Sequence, residues 1–510
     1  MSRLLRIKPM SMLSKEAAEQ GEHTLKRSLG AVNLVTLGIG AVIGAGIFTL
    51  TGQAAALHAG PAVALSFVLA GLTCAFAGLC YAEFASLIPI AGSAYTYGYA
   101  TLGEIVAWII GWDLCLEYAF GASTVASGWA GYFNSLLQQL GIVFPPALTT
   151  TTGNVLVKYQ GVWIDRMSLP PGVSDVGLPH VTGLFNLIAV LIVLVVTAIL
   201  VVGIKESANF NSAIVIVKLG IVGVFLVVGG LFLFHHPQVA STNWHPFVPP
   251  ADGHGNFGWG GVPVAAASIF FAYIGFDAVS TAGQEAKNPQ RDMPVGILGS
   301  LVVCTILYIA VSLVLTGLVS YKTLNVSAPV ALAIDATGVG WGSVLVKVGA
   351  VFGLATVMLV MLLGQTRVFF SMSRDGLLPK WASAVHPKFR TPWITTIVFG
   401  LFAALMPAFL PIDKLSELVN IGTLLAFTIV SAGVWVLRVR HPELERPFKT
   451  PLVPLVPILG ILSALFLMSR LERITWIVMI TWLIVGLVIY FTYSIKHSKV
   501  QALARAAEAD

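Results

Sequence analysis

The sequence is poor in charged residues. Asp, Glu, Lys and Arg make up 10% of the 510 residues, whereas 57% of the residues are hydrophobic. Soluble globular domains carry roughly 25% charged residues, so a chain of this length with so little charge cannot cover a water-exposed surface. The composition therefore excludes a soluble fold, and its apolar content also excludes an intrinsically disordered chain.

Cysteine is scarce as well. The four cysteines lie inside apolar stretches and lack the spacing of metal ligands: Cys74, Cys80, Cys115 and Cys304. This excludes a disulfide framework and a zinc site. The chain also lacks the GxxxxGK[ST] pattern of a P-loop, which argues against direct pumping by ATP. We expect no cofactor and no metal, and no nucleophile and base are placed together in the apolar stretches to predict an enzyme.

The net charge of +6 does not indicate nucleic-acid binding. The basic residues are scattered through short segments between apolar stretches, a distribution that is typical of membrane topology. The first 33 residues are polar and basic and contain no apolar core that ends in a small-residue cleavage site. They are interpreted as a cytoplasmic tail rather than a signal peptide.

Long apolar runs are abundant, and a helix that crosses a membrane needs about 20 such residues. Twelve runs, numbered here as spans 1 to 12, lie at about residues 34–56, 62–87, 105–135, 184–203, 210–234, 259–282, 294–319, 343–373, 393–411, 417–437, 452–470 and 474–495. The sequence therefore predicts an all-α integral membrane protein with twelve transmembrane helices.

The distribution of basic residues predicts the orientation of the chain in the membrane. An even number of spans places both termini on one side, and the segments on that side hold 20 Lys and Arg residues against six on the other. Cytoplasmic loops carry the excess of Lys and Arg. We therefore expect a multi-pass plasma-membrane protein with both termini in the cytoplasm.

Four regions follow from this topology. They are an N-terminal tail at 1–33, a core of spans 1 to 10 at 34–437, spans 11 and 12 with the preceding loop at 438–495, and a C-terminal tail at 496–510. The longest loop, at about 136–183, is rich in Pro, Thr and Gly, and we expect it to form an ordered or semi-ordered extracellular cap.

Two spans contain glycine where an uninterrupted helix would not favour it. Span 1 contains four glycines between Gly38 and Phe48, and span 6 contains Gly275 within the stretch from Tyr273 to Asp277. If spans 1 to 5 and 6 to 10 are inverted repeats, the interrupted span is the first of each half, which is the arrangement that indicates a transporter site near the bilayer midplane. The alternative is close helix packing through Gly40 and Gly44.

An interrupted helix exposes amides on one half and carbonyls on the other, and the helix dipoles add partial charges at both ends. An α-amino acid carries an anionic and a cationic end that would satisfy both sets. We expect the carboxylate at the amides of Ala45 and Gly46. We expect the ammonium at carbonyls such as those of Val42, Phe271 and Ile274.

These stretches resemble the amino acid, polyamine and organocation transporter superfamily, and within it the bacterial relatives of the cationic amino acid transporters. The resemblance covers nearly the whole chain and depends on six motifs: 38–48, 80–84, 111–118, 270–277, 288–294 and 367–379. It implies ten core helices in two inverted five-helix repeats plus two additional helices, with helices 1 and 6 broken at mid-membrane. It also implies alternating access between outward-open and inward-open states.

The resemblance also assigns residues to the substrate site. The candidate substrate-binding residues are Val42, Ile43, Gly44, Ala45, Gly46, Phe271, Ala272, Ile274 and Met361. Phe271 matches an aromatic gate, and Met361 matches a side-chain pocket position that is small in many animal relatives. Ala45 stands where many relatives have Ser or Thr, so one hydroxyl contact is missing.

Lys218 lies eight residues into span 5, roughly 12 Å along a helix. A lysine at that depth is costly unless it is paired, neutralised or solvated. It could snorkel to the interface, or it could bind and release a coupling proton. The resemblance favours the proton, because related proton-coupled transporters have a lysine where sodium-coupled members bind sodium.

Asp113 and Glu117 share one face of span 3 because they are four residues apart. Glu117 could contact the cationic end of a substrate side chain, take part in proton coupling, or hydrogen-bond to neighbouring helices. The chain is interpreted as a secondary active amino acid transporter with proton-coupled uptake, and the alternative is an exchanger of cationic amino acids or polyamines. Expected partners are an amino acid, protons and the lipid bilayer. Nucleic acid is not expected, and a small membrane-protein subunit remains an open possibility.

Overall fold

The computed structural model describes residues 3–9, 29–88, 93–159, 161–166, 169, 173–203 and 208–509. Within them, seven helices are long and apolar enough to cross a membrane: Gly46–Leu87, Glu104–Gln139, Ser212–His235, Pro289–Leu318, Gly340–Arg374, Ile412–Arg440 and Arg473–His497. Five shorter apolar helices accompany them: Ala31–Val42, Leu187–Val202, Gly258–Tyr273, Trp393–Phe409 and Leu455–Met468. These lengths confirm a mostly helical membrane protein that crosses the bilayer several times.

The long helix that begins at Gly46 contains a turn between two predicted spans. It runs through a π-helical turn at Ala55–Ala59 and a 3-10 turn at Gly60–Ala62 before the α-helix Val63–Leu87. Gly60 has φ 59°, a conformation that side-chain-bearing residues rarely adopt. The structure therefore separates the second half of span 1 from span 2 at this glycine.

The helices differ in how much of their surface faces protein. In Glu104–Gln139, 83% of the apolar window is buried inside the molecule, compared with 22% in Arg473–His497. Two tryptophans join these two helices, because Trp112 Nε1 donates to the carbonyl of Trp482 at 2.8 Å and Trp482 Nε1 donates to that of Trp112 at 3.0 Å. Span 3 is therefore central, and span 12 lies at the periphery.

Both ends of the chain lie at the same end of the bundle. Arg6 donates through Nη1 to Gln501 Oε1 at 3.0 Å, and the carbonyl of Arg6 accepts from the Glu104 amide at 3.0 Å. Lys8 Nζ forms a buried ion pair with Asp375 at 2.9 Å. The even number of spans predicted this placement, although residues 10–28 of the predicted tail lie outside the described residues.

The loop between spans 10 and 11 is fastened to span 2 through one buried carboxylate. Glu83 is fully buried and accepts two hydrogen bonds of 2.8 Å from Arg438 and one of 2.8 Å from the Thr450 amide. Arg446 Nε lies 3.2 Å from the same carboxylate. Such bidentate, charge-assisted contacts hold the loop against the end of span 2.

The long loop departs from the predicted all-α architecture. It contains three short strands, β1 (Val155–Tyr159), β2 (Val162–Asp165) and β3 (His180–Thr182), and they form an antiparallel sheet with the order β2-β1-β3. β-Branched and aromatic residues favour strands, and Gly161 between the first two strands has φ 87°. Parts of this loop lie outside the described residues, and the described part contains this sheet.

Short helices complete the chain between and after the spans. They are Ser93–Thr101, Pro237–Asn243, Pro329–Asp335 and Lys499–Ala509. Three of them are too short to carry a clear periodic signal, because boundaries and short elements are the least predictable from sequence. The fourth occupies most of the segment predicted as a C-terminal tail.

Candidate substrate site at two interrupted helices

Span 1 is interrupted where its glycines predict it. The α-helix Ala31–Val42 ends at Ile43, which has the extended backbone angles φ −74° and ψ 98°. The chain becomes helical again in the π-helical turn Gly46–Leu50. Residues 43–45 therefore separate two half-helices inside one predicted span.

Span 6 is interrupted in the same way. The α-helix Gly258–Ile269 continues into the 3-10 turn Phe270–Tyr273, and Ile274 is extended with ψ 131°. Gly275 has φ 121° and donates its amide to Asp277 Oδ1 at 3.2 Å. A side chain at this φ would be strained, so glycine is required where the helix breaks.

The two interruptions lie against each other. A Cβ atom at Gly46 would overlap the backbone of Ala272, and a Cβ atom at Gly275 would lie 2.8 Å from the carbonyl carbon of Ala41. Real Cβ atoms do not approach this closely, so both glycines are needed for the contact. The paired glycines thus bring the interrupted segments of spans 1 and 6 into direct contact.

At this contact, a helix end that exposes carbonyls lies next to a helix end that exposes amides. The carbonyl end of the first half-helix of span 1 meets the amide end of the second half, which begins at Gly46 without a side-chain cap among the described residues. The dipoles add partial negative charge to the first end and partial positive charge to the second. All eight predicted backbone-site residues lie here and are buried: Val42, Ile43, Gly44, Ala45, Gly46, Phe271, Ala272 and Ile274.

Lys218 reaches the interruption in span 1. It is 2% exposed, and its Nζ donates to the carbonyl of Gly40 at 2.8 Å and lies 3.4 Å from that of Ile43. Its side-chain carbons lie beside Gly353 of span 8. The lysine therefore does not snorkel to an interface in this structure, because its ammonium is directed at the break.

Glu117 and Asp113 face the interior, as their spacing predicts. Both are fully buried, and no described group donates a well-formed hydrogen bond to any of their four carboxylate oxygens. A charged Glu117 would be repelled by a charged Asp277, which follows the break in span 6. Burying unpaired carboxylates is costly unless they are protonated, hydrated or matched by a cation.

Met361 is buried on span 8, the helix that packs against the break in span 1. A Cβ atom at Gly44 would lie 3.2 Å from Val357, one turn before Met361. A Cβ atom at Gly121, one turn after Glu117, would lie 3.4 Å from the Met361 sulfur. Met361 thus fills space between spans 8 and 3.

The sequence prediction missed two polar side chains that contact the interrupted helices. Tyr308 of span 7 directs its hydroxyl at the carbonyls of Val42, at 2.8 Å, and Ala272, at 2.6 Å. Asn420 of span 10 donates through Nδ2 to two carbonyls at the end of the first half of span 6, those of residues 267 and 268, at 2.8 and 2.9 Å. In the sequence, each of these residues is visible as a polar residue within an apolar run. That pattern does not identify the group that the side chain contacts.

The family follows from comparison with known proteins. The amino acid permease family model matches residues 29–490, which includes both interruptions. The chain belongs to the amino acid permease family. It is 49% identical to the branched-chain amino acid permease BcaP of Bacillus subtilis (strain 168) over 484 residues, covering 95% of this chain and 96% of the relative.

Two further relatives widen the comparison. A methylthioribose transporter of the same organism is 47% identical over 498 residues, covering 98% of this chain and 99% of the relative. The vacuolar cationic amino acid transporter 4 of Arabidopsis thaliana is 39% identical over 423 residues, covering 83% of this chain and 65% of the relative. These matches confirm a transporter of the amino acid, polyamine and organocation superfamily, related to the cationic amino acid transporters, rather than an enzyme.

Proposed function

We propose that this permease is a secondary active transporter that takes up neutral aliphatic amino acids together with protons. The observation that carries the proposal is the contact between two interrupted helices, where amide and carbonyl ends meet at Gly46 and Ala272. The similarity to a branched-chain amino acid permease supports an amino acid as the substrate.

The backbone of the site matches the ends of a zwitterion. Amides at Ala45 and Gly46 would bind the carboxylate, aided by the positive end of the helix that begins there. Carbonyls at Val42, Phe271 and Ile274 would bind the ammonium. Tyr308 already donates to the Val42 carbonyl, and the Ile274 amide donates to that of Phe271, but each carbonyl keeps a second lone pair for a ligand.

Lys218 is proposed to carry the coupling proton. A charged ammonium donates strongly to the Gly40 carbonyl and attracts that of Ile43, and it loses most of this attraction when it is deprotonated. The protonation state of Lys218 therefore biases the position of the first half of span 1. Substrate binding at the same break would sense this position, which couples the two ligands.

The proposed topology has twelve transmembrane spans, which are built from the helices that the structure describes. If Ala31–Val42 and Gly46–Ala59 are two halves of one crossing, the spans number twelve, and spans 1 and 6 each open a repeat of five within the core at 34–437. Alternating access would be rocking between these repeats. The excess of Lys and Arg supports cytoplasmic termini and an inner-membrane location.

Met361 supports a neutral rather than a cationic substrate, because a buried thioether leaves little room for a long side chain. The unpaired carboxylates of Asp113 and Glu117 favour the second candidate, an exchanger of cationic amino acids or polyamines. They also fit the first candidate if Glu117 takes part in proton coupling. Transport assays distinguish the two.

Thermal unfolding of the purified protein with each amino acid, several polyamines and methylthioribose tests the proposal. Binding to the native state raises the unfolding temperature, and we expect neutral aliphatic amino acids to raise it most. Accumulation of the best ligand in vesicles with a pH gradient and no internal substrate would support symport. Uptake that requires internal substrate would support the exchanger instead.

A further inference from the structure

Tyr308 lies deep in the bundle, in the helix Pro289–Leu318 of span 7. It is fully buried, and its ring packs against those of Phe67, at a centroid distance of 5.2 Å, and Tyr273, at 5.4 Å. Spans 2 and 6 supply these two rings. The ring is therefore held from two sides, and the position of its hydroxyl is fixed.

The hydroxyl lies between the two interrupted helices. Its oxygen is 2.8 Å from the carbonyl oxygen of Val42 and 2.6 Å from that of Ala272. A tyrosine hydroxyl has a single proton to donate, so it can satisfy only one of these carbonyls fully at a time. Each carbonyl also has a second lone pair, so both retain capacity for another donor.

We propose that Tyr308 is a positioning residue for the ammonium group of the substrate. Its hydroxyl lies within hydrogen-bond distance of the Val42 carbonyl in span 1 and the Ala272 carbonyl in span 6. It thereby keeps these two carbonyl oxygens close enough for one donor atom to contact both. An ammonium nitrogen that donates to two carbonyls over ordinary hydrogen-bond distances needs the same spacing. The inference rests on the proposed function, because it assumes that the substrate carries an ammonium group.

The location of the contact separates this role from ordinary packing. Val42 is the last residue of the first half of span 1, and Ala272 lies in the last helical turn before the break in span 6. The hydroxyl therefore joins the carbonyl ends of both half-helices. Losing it should loosen the site while leaving the packing of the rings intact.

The test compares Tyr308→Phe with Tyr490→Phe. Tyr490 is also fully buried, and its hydroxyl donates to Glu104 Oε1 at 3.0 Å. Each substitution removes one buried tyrosine hydroxyl. Tyr490 lies on span 12 rather than in the interrupted segments, so Tyr490→Phe is a matched control.

The readouts are KM and Vmax for proton-driven uptake of the best neutral amino acid and the ligand concentration that gives half-maximal thermal stabilisation. Tyr308→Phe should raise KM and this concentration about 2- to 10-fold, the range expected for one neutral hydrogen bond. Vmax should stay close to that of the unchanged protein. Tyr490→Phe should leave KM unchanged, even if both variants unfold at lower temperature.

If Tyr308→Phe is folded and has the same KM as the unchanged protein, and the unchanged protein binds its substrate, the inference about Tyr308 is overturned. The proposed function is then unaffected. Equal increases in KM in both variants would also overturn the inference about Tyr308, because they would indicate general loosening. If no amino acid stabilises the unchanged protein, the proposed function fails and the inference fails with it. Recovery of folded variants is checked first by their unfolding temperatures.

Discussion

The contact between the two interrupted helices predicts a specific effect of adding one methyl group at Gly46. In Gly46→Ala the new Cβ would overlap the backbone of Ala272, and a backbone cannot move aside as a flexible side chain can. Carbon atoms pack at about 3.5–4.0 Å, so spans 1 and 6 must separate by roughly 1 Å or more.

The expected loss of affinity follows from this separation. Overpacking a dense interior typically costs about 1–3 kcal/mol, and each 1.4 kcal/mol changes affinity about tenfold. The proposed amides for the carboxylate and carbonyls for the ammonium belong to the two segments that are forced apart. We therefore expect Gly46→Ala to bind its amino acid roughly 5- to 100-fold more weakly.

Thermal stabilisation by ligand measures this loss without requiring transport. Gly78→Ala is the matched control, because Gly78 is also a buried helical glycine but its added Cβ would meet nothing closer than 3.4 Å. The control should bind normally. If Gly46→Ala were folded and bound its substrate like the unchanged protein, the contact at Ala272 would not form part of the substrate site.

Three further predictions concern coupling and selectivity. Lys218→Ala should keep substrate binding but lose accumulation driven by a pH gradient. The control Lys347→Ala removes a buried lysine that is paired with Asp335 at 3.0 Å, and it should keep this accumulation. Unchanged proton-driven uptake in Lys218→Ala would refute the assignment of the coupling proton to Lys218. Met361→Ser should shift preference from alanine toward arginine by roughly 10- to 100-fold at most. Uptake of both labelled amino acids measures this shift, and Met358→Ser is the control at another buried methionine. An unchanged ratio of arginine to alanine uptake would exclude Met361 as the selectivity element. Decarboxylated and N-acylated analogues should compete poorly for uptake, and competition as strong as that of the parent amino acid would contradict a site that binds both ends.

The sequence predicted the interruptions well because glycine has a direct physical effect on a helix. Gly44, Gly46 and Gly275 indicated where spans 1 and 6 break, and the structure places breaks at these positions. The depth of Lys218 likewise followed from counting residues along a span.

The partners of these residues could not be predicted in the same way. Lys218 and Gly40 are 178 residues apart in the chain, and Tyr308 and Val42 are 266 apart. Such contacts depend on how the helices pack, which the periodicity of one helix does not specify. The small sheet at 155–182 was missed because its short strands lie in a polar loop, where hydrophobic patterning is weak.

Uptake by the purified protein in liposomes shows whether protons drive amino acid transport. Vesicles containing no substrate are given an inward proton gradient, and accumulation of a labelled neutral aliphatic amino acid is followed with and without a protonophore. We expect accumulation above the external concentration, and we expect the protonophore to abolish it. Equilibration without accumulation, or uptake only after loading with internal substrate, would contradict proton-coupled uptake.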